Sequence, residues 1–132
     1  MLPSSVINNL RVHAAKQMCG LDPDSEYVEL AVEVFAMLAD ATRVRIVLAL
    51  RNAEEMSVNH LADAVGKSPA AVSQHLAKLR LARMVSTRRD GTTVYYRLTD
   101  EHASELVVDA VKQAEHTVGN ARHHHGQAAA NA

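Results

Sequence analysis

The chain holds one cysteine, Cys19, in 132 residues, so no internal disulfide can form. That usage fits a reducing compartment, and the cytoplasm is expected. Tryptophan is absent and the aromatics number four, Tyr27, Phe35, Tyr95 and Tyr96, which leaves an aliphatic core. No apolar run approaches the ~20 residues of a membrane span. The opening MLPSSVINNLRVHAA lacks the continuous apolar segment of a signal peptide. No membrane partner is expected. Glycine-rich phosphate loops and nucleophile–base pairs are also missing, so neither an enzyme nor a small-molecule substrate is expected. Lysine and arginine are lacking between residues 21 and 40, where Asp22, Asp24, Glu26, Glu29, Glu33 and Asp40 cluster.

What is present is concentrated between Ser57 and Arg97. Val58, Leu61, Ala62 and Val65 recur at helical spacing. Gly66 follows where a helix stop favours positive φ. Ser68 then offers an N-cap oxygen, and Pro69 takes the first helical position, where its missing N–H is no loss. Val72, Leu76, Leu79 and Leu81 give the second helix its apolar side. Asp90-Gly91 is expected to be a two-residue hairpin turn. Its flanks, Val85–Arg89 and Thr92–Arg97, are rich in β-formers. Helix, turn, helix and basic hairpin make a winged helix-turn-helix, mainly α with a β-hairpin wing.

Charge follows the same plan. Lys67, Lys78, Arg80, Arg83, Arg88, Arg89 and Arg97 face one anion, Asp90, a local net of +6 in a chain of net −1. Such concentration is the footprint of phosphate binding, and the expected partner is double-stranded DNA. In a helix-turn-helix the second helix enters the major groove N-terminal end first. Ser68, Ala70, Ala71, Ser73, Gln74 and His75 are placed for base edges, with Gln74 suited to adenine and Ala71 to a thymine methyl. Lys67, Lys78, Arg83, Arg88 and Arg89 are expected on phosphates.

The remaining elements are helical. Asp22-Pro23-Asp24-Ser25 breaks the chain before a helix to about Leu38, with Val28, Val32, Phe35, Met37 and Leu38 on its apolar side. Asp40-Ala41-Thr42 starts another helix to about Arg51, and Asn52 to Met56 reads as a connection. Leu98-Thr99-Asp100 caps a last helix from about Glu101 to Val118. Its apolar stripe of Leu106, Val107, Ala110, Val111, Ala114 and Val118 is suited to pairing with a second copy, in a homodimer joined through terminal helices. The expected division is an N-terminal arm (1–20), the winged helix-turn-helix and dimerisation domain (21–118) and a flexible histidine-containing tail (119–132). The arm carries His13 and Cys19; His13 and His60 are taken as structural or surface residues.

Five of the eight histidines lie beyond residue 100. At ~100° per residue, His102, Asp109, Gln113 and His116 fall within about 60° of one another. His102 and His116 are nevertheless roughly 21 Å apart along one helix. An antiparallel pair across a two-fold axis brings the start of one helix to the end of the other, giving two symmetric metal sites. Asp100, two residues before His102, can add a carboxylate.

The stretches EVFAMLADATRVRIVLAL and EMSVNHLADAVGKSPAAVSQHLAKLRLARMVSTRRDGTTVYYRL resemble the ArsR/SmtB family of bacterial metal-responsive repressors across about residues 28–118. MLADATR, EMSVN, VSQHLAKLR, TRRDGTT, the DEH and AEH of the last helix and the Arg-His-His-His tail are similar to its actinobacterial nickel/cobalt-sensing branch, the KmtR-like repressors. The resemblance implies a homodimer that binds operator DNA, an imperfect palindrome, without metal and releases it on binding metal. Members with a site on the last helix carry Asp-x-His, then His eleven residues on, then His or Glu three further. This chain keeps Asp100, His102 and His116 but has Gln113 in the middle position, which argues against tetrahedral zinc. The KmtR-like branch implies ligands at His102, Glu115, His116 and two tail histidines, His123 and His124, with His125 able to replace either. Glu115 points about 140° from His102 in an unbroken helix. Gly119 offers a hinge by which the tail reaches back. Five or six N/O ligands suit Ni(II) or Co(II) better than Zn(II).

Two rivals follow from the same residues. One is the same fold triggered through Cys19 by thiol oxidation, although the thiolate pair of arsenic and cadmium sensors is replaced here by Ser57-Val58-Asn59-His60-Leu61. The other is a winged helix used for protein interaction.

Overall fold

The computed structural model describes residues 20–130, with side chains to Gly119. The expected arm, including His13 and Cys19, lies outside the described residues. Two compact units divide the chain, one ending at Ala36 and one beginning at Met37.

Most of α1 (Tyr27–Leu38) belongs to the first unit. Its entry is a turn in which the Ser25 N–H donates to the Asp22 carbonyl and the Ser25 hydroxyl accepts the Tyr27 N–H. Tyr27, Val28, Leu30, Val32 and Phe35 are exposed along it.

The second unit follows the sequence signals closely. Asp40 caps α2 (Ala41–Ala53), its carboxylate accepting the Arg43 N–H at 2.9 Å. Ser57 caps α3 (Val58–Val65), which stops at Gly66 in the left-handed region, φ +67°. Both the Gly66 and the Lys67 N–H groups return to the Ala62 carbonyl, closing the turn of the helix-turn-helix. Ser68 caps α4 (Pro69–Leu81) with Pro69 in its first turn. Leu81, expected on the apolar side, is 85 % exposed. It is the last residue of α4.

Three antiparallel strands complete the unit in the order β1–β3–β2: β1 (Glu55–Ser57), β2 (Val85–Asp90) and β3 (Thr93–Leu98). Residues 55 and 56 were expected in a connection; they become strand by pairing with Arg97 and Tyr96. The hairpin turn sits one residue later than expected, on Gly91 and Thr92, because Asp90 still pairs with Thr93. Gly91, at φ +62°, supplies the backbone conformation the turn needs.

The core is aliphatic as the composition requires. Ile46, Leu50, Leu61, Val72, Leu76 and Leu79 are fully buried, with Tyr96, Met56 and Leu98 packed against them. Truncating one of these leucines to alanine typically costs about 2–5 kcal/mol. This core fixes α3, α4 and the sheet to one another.

The last helix, α5, runs from His102 to Ala130 and lies against α2. It was expected to end near Val118 before a flexible tail. Instead Gly119 sits inside it, and the following stretch, alanine-rich and free of proline, sustains the helix. Among the described residues no helix is long and apolar enough to cross a membrane.

Candidate nucleic-acid interface and candidate metal ligands

The recognition helix presents two faces. Val72, Leu76 and Leu79 point into the core, so Ala70, Ser73, Gln74 and Lys78 are left outward. Lys67 and Ser68 lie exposed just ahead of them, and the Ser68 hydroxyl also accepts the Ala71 N–H at 3.2 Å. Ala71 is half-buried. His75, expected at a base edge, is half-buried too, and its Nδ1 is buried with no hydrogen-bond partner. One helical turn from Ala71 and next to Leu76, it sits at the boundary between the two faces. The Asp40 carboxyl is held below its usual range, first by the Arg43 N–H and further by the nearby charges of His75 and Arg43.

Arg83 stands just past α4 at φ +60°, a conformation that glycine adopts more readily than arginine. Its N–H donates to the Arg80 carbonyl, which ends the helix, and its side chain is exposed.

The wing carries Arg88 and Arg89, both exposed. Arg88 was expected on a phosphate. Its Nε donates to Glu55 Oε2 at 2.8 Å and its terminal nitrogen to Oε1, a two-pronged ion pair that reaches from β2 over β3 to β1. Its guanidinium carbon lies 4.6 Å from the centre of the Tyr95 ring. The hydrogen bond from Arg88 is the main reason the Glu55 carboxyl is held below its ordinary value. Sequence counting missed Glu55 because it lies 33 residues upstream.

On α5, Asp100 Oδ1 accepts the His102 N–H at 2.9 Å. This fulfils the expected cap and presents both side chains at the helix start, exposed. Asp109, Gln113, Glu115 and His116 are exposed further along. Among the described residues of one chain, no three His, Cys, Asp or Glu side chains come together to hold a metal. The ligands expected at His102 and His116 stay at opposite ends of a straight segment. The backbone at His123, His124 and His125 continues the helix; their side chains lie outside the described residues. An open cleft of about 470 Å³ borders Asp100, lined also by Arg51, Glu54, Arg97, Glu101, Ser104 and Glu105.

With this geometry in view, the comparisons with known proteins are decisive. The family model of bacterial regulatory proteins, arsR family, matches residues 40–87, from the Asp40 cap to the middle of β2. The chain belongs to this family. It is 60 % identical over 107 residues to the HTH-type transcriptional regulator KmtR of Mycobacterium tuberculosis, covering 80 % of this chain and 82 % of that protein. The crystal structure of NolR from Sinorhizobium fredii superposes with a TM-score of 0.61 at 38 % identity, covering 71 % of this chain and 93 % of that one. The solution structure of a homodimeric winged helix-turn-helix domain from Mycobacterium bovis, a possible ArsR-family regulator, gives 0.60 at 28 % identity, covering 71 % and 86 %. The ArsR-family chain described here is a DNA-binding transcriptional repressor with a winged helix-turn-helix. Its relatives and structural neighbours are regulators and not enzymes.

Proposed function

We propose that this repressor acts as a cytoplasmic homodimer, binds an imperfect palindromic operator in its metal-free form, and leaves it when Ni(II) or Co(II) binds at the last helix. Zn(II) is the weaker candidate. The observation that carries the reading is the exposure of Asp100 and His102 at one end of α5 and of His116 fourteen residues on. All three are good N/O ligands, His102 and His116 on one stripe and Asp100 just ahead of it, and one helix cannot bring its two ends to one ion. An antiparallel copy can, so each site takes Asp100 and His102 from one protomer and His116 of the partner subunit. The resemblance of its motifs to the nickel/cobalt-sensing branch supports the choice of metal, as does Gln113 in place of a zinc-favouring histidine.

The residues fit such an ion in number only with help from the tail. On the continuous helix His123 lies about 10 Å beyond His116. For His123, His124 or His125 to join the site, α5 must open after Gly119. Glycine inside a helix is about 1 kcal/mol less favourable than alanine, so Gly119 marks the easiest place to open. Glu115, one residue before His116, joins only if the helix also unwinds at its own position, ahead of Gly119.

On the DNA side, Ala70, Ser73 and Gln74 are proposed for base edges, with Gln74 giving the strongest preference through a bidentate contact to adenine. Lys67, Ser68, Lys78, Arg83 and Arg89 hold phosphates. His75 takes the more modest role of orienting α4 through its buried edge.

Operator-binding titration with and without nickel tests the reading. Linkage requires metal and DNA to weaken each other by one factor, usually about 5- to 150-fold. Affinity unchanged by nickel would refute it.

A further inference from the structure

Arg88 lies on the wing of a DNA-binding protein and would ordinarily be assigned to a phosphate. We propose that it is instead a positioning residue, which with Glu55 and Tyr95 clamps the wing at a fixed angle to the helix-turn-helix. The proposal rests on the DNA-binding reading above and changes the role of one residue within it.

Three adjacent strands supply the clamp. Tyr95 is the register partner of both Ser57 on β1 and Arg88 on β2. Glu55 is two residues from Ser57, so it shares the outer face of the sheet with Tyr95. Arg88 passes over the Tyr95 ring and closes on both Glu55 oxygens. Strand β1 leads directly into α3, with Ser57 as the α3 cap. A bond from β2 to β1 therefore ties the wing to the first helix of the DNA-reading unit. Arg89, the neighbour of Arg88, points to the other side of β2 and has no part in it.

Electrostatics favour the same role. A phosphate approaching the Arg88 guanidinium meets the Glu55 carboxylate on the same fork. The pair is neutral, so it adds nothing to the field that attracts DNA. Fork and ring both demand a planar guanidinium, which lysine cannot replace.

The test measures affinity against salt concentration on a fluorescein-labelled duplex selected from a random library by the wild-type protein. Each phosphate contact contributes about 0.9 to the slope of log affinity on log salt. Arg88→Gln and Glu55→Gln are each expected to weaken binding about fivefold with the slope unchanged, and the double variant to weaken it no further than either single one. Arg88→Lys keeps the charge yet is expected to behave like Arg88→Gln. A slope lowered by about one in Arg88→Gln but kept in Arg88→Lys would overturn the proposal. Tighter binding by Glu55→Gln would overturn it too, since the carboxylate would then be a competitor of phosphate. Arg89→Ala serves as the control and is expected to lower the slope by about one. A slope unmoved there would count against the wing as a phosphate surface, while the coupling of Glu55 and Arg88 would still decide the clamp.

Discussion

Asp100 and His102 are joined by a hydrogen bond from the His102 N–H to the Asp100 carboxylate, 2.9 Å long. The residue that starts the last helix is thus also a proposed metal ligand. The two roles separate by substitution. Asp100→Asn keeps the cap and loses the charge; Asp100→Ala loses both. Asparagine is expected to leave thermal stability unchanged and weaken nickel binding about tenfold. Alanine should in addition lower stability by about 1 kcal/mol. Calorimetric titration with nickel beside thermal melts reads both.

Arg83 occupies a left-handed position at φ +60°. Replacing it by glycine relieves a conformation that costs a side-chain-bearing residue about 1 kcal/mol. Arg83→Gly is expected to raise the unfolding free energy by about that amount. The same variant should lower the salt slope of DNA binding by about one. A protein that became more stable and bound DNA with an unchanged slope would remove Arg83 from the interface.

A methyl group added at Gly119 meets no atom within 4 Å. Gly119→Ala is therefore expected to strengthen α5 by about 1 kcal/mol without a clash. If the tail must unwind to reach the metal, nickel affinity falls by about fivefold and the nickel-induced loss of helical circular dichroism shrinks. Equal affinity in both proteins would mean that the tail takes no part.

Asp40 gives a pH signature. Its carboxyl is held below the ordinary 3.8, chiefly by the Arg43 N–H and then by neighbouring cationic charge. A lowered value in the folded state means that its contribution is complete above about pH 4 and is lost as pH falls through the folded value. Asp40→Asn retains a cap without the charge. The wild-type melting temperature should fall more steeply than the variant's below about pH 4.

Much of this fold was legible because its signals are local. Asp40, Ser68-Pro69 and Gly66 each act on backbone groups within a few residues, and the structure uses all of them as expected; the Ser57 cap is equally local but was not read from the sequence. The strand β1 was not legible, because three residues form a strand only through a partner about forty positions away. The pairing of Glu55 with Arg88 was missed for the same reason, so a count of wing charges left out the anion that neutralises one of them. His75 was placed at a base edge by its position near the start of the second helix alone, and the structure half-buries it on the edge between the two faces. The last helix, α5, was expected to end near Val118 because the chain turns polar and small from Gly119, whereas the backbone continues as helix to Ala130. Of the proposed metal ligands, Asp100, His102 and His116 were picked by type and spacing and Glu115, His123 and His124 by the family resemblance; a site shared by two chains would have no geometry within one.

Three residues, Thr99 to Glu101, separate the end of β3 from the start of α5. Even these are not loose: the Thr99 N–H donates to the Met84 carbonyl at 3.0 Å, at the root of β2, and Asp100 is tied to His102. The joint between wing and last helix is therefore short and hydrogen-bonded towards both of them. A twist of α5 about its own axis would be passed on to the hairpin through it. Two such helices turned by their pairing would swing both wings together, as a pair of oars moves on one shaft.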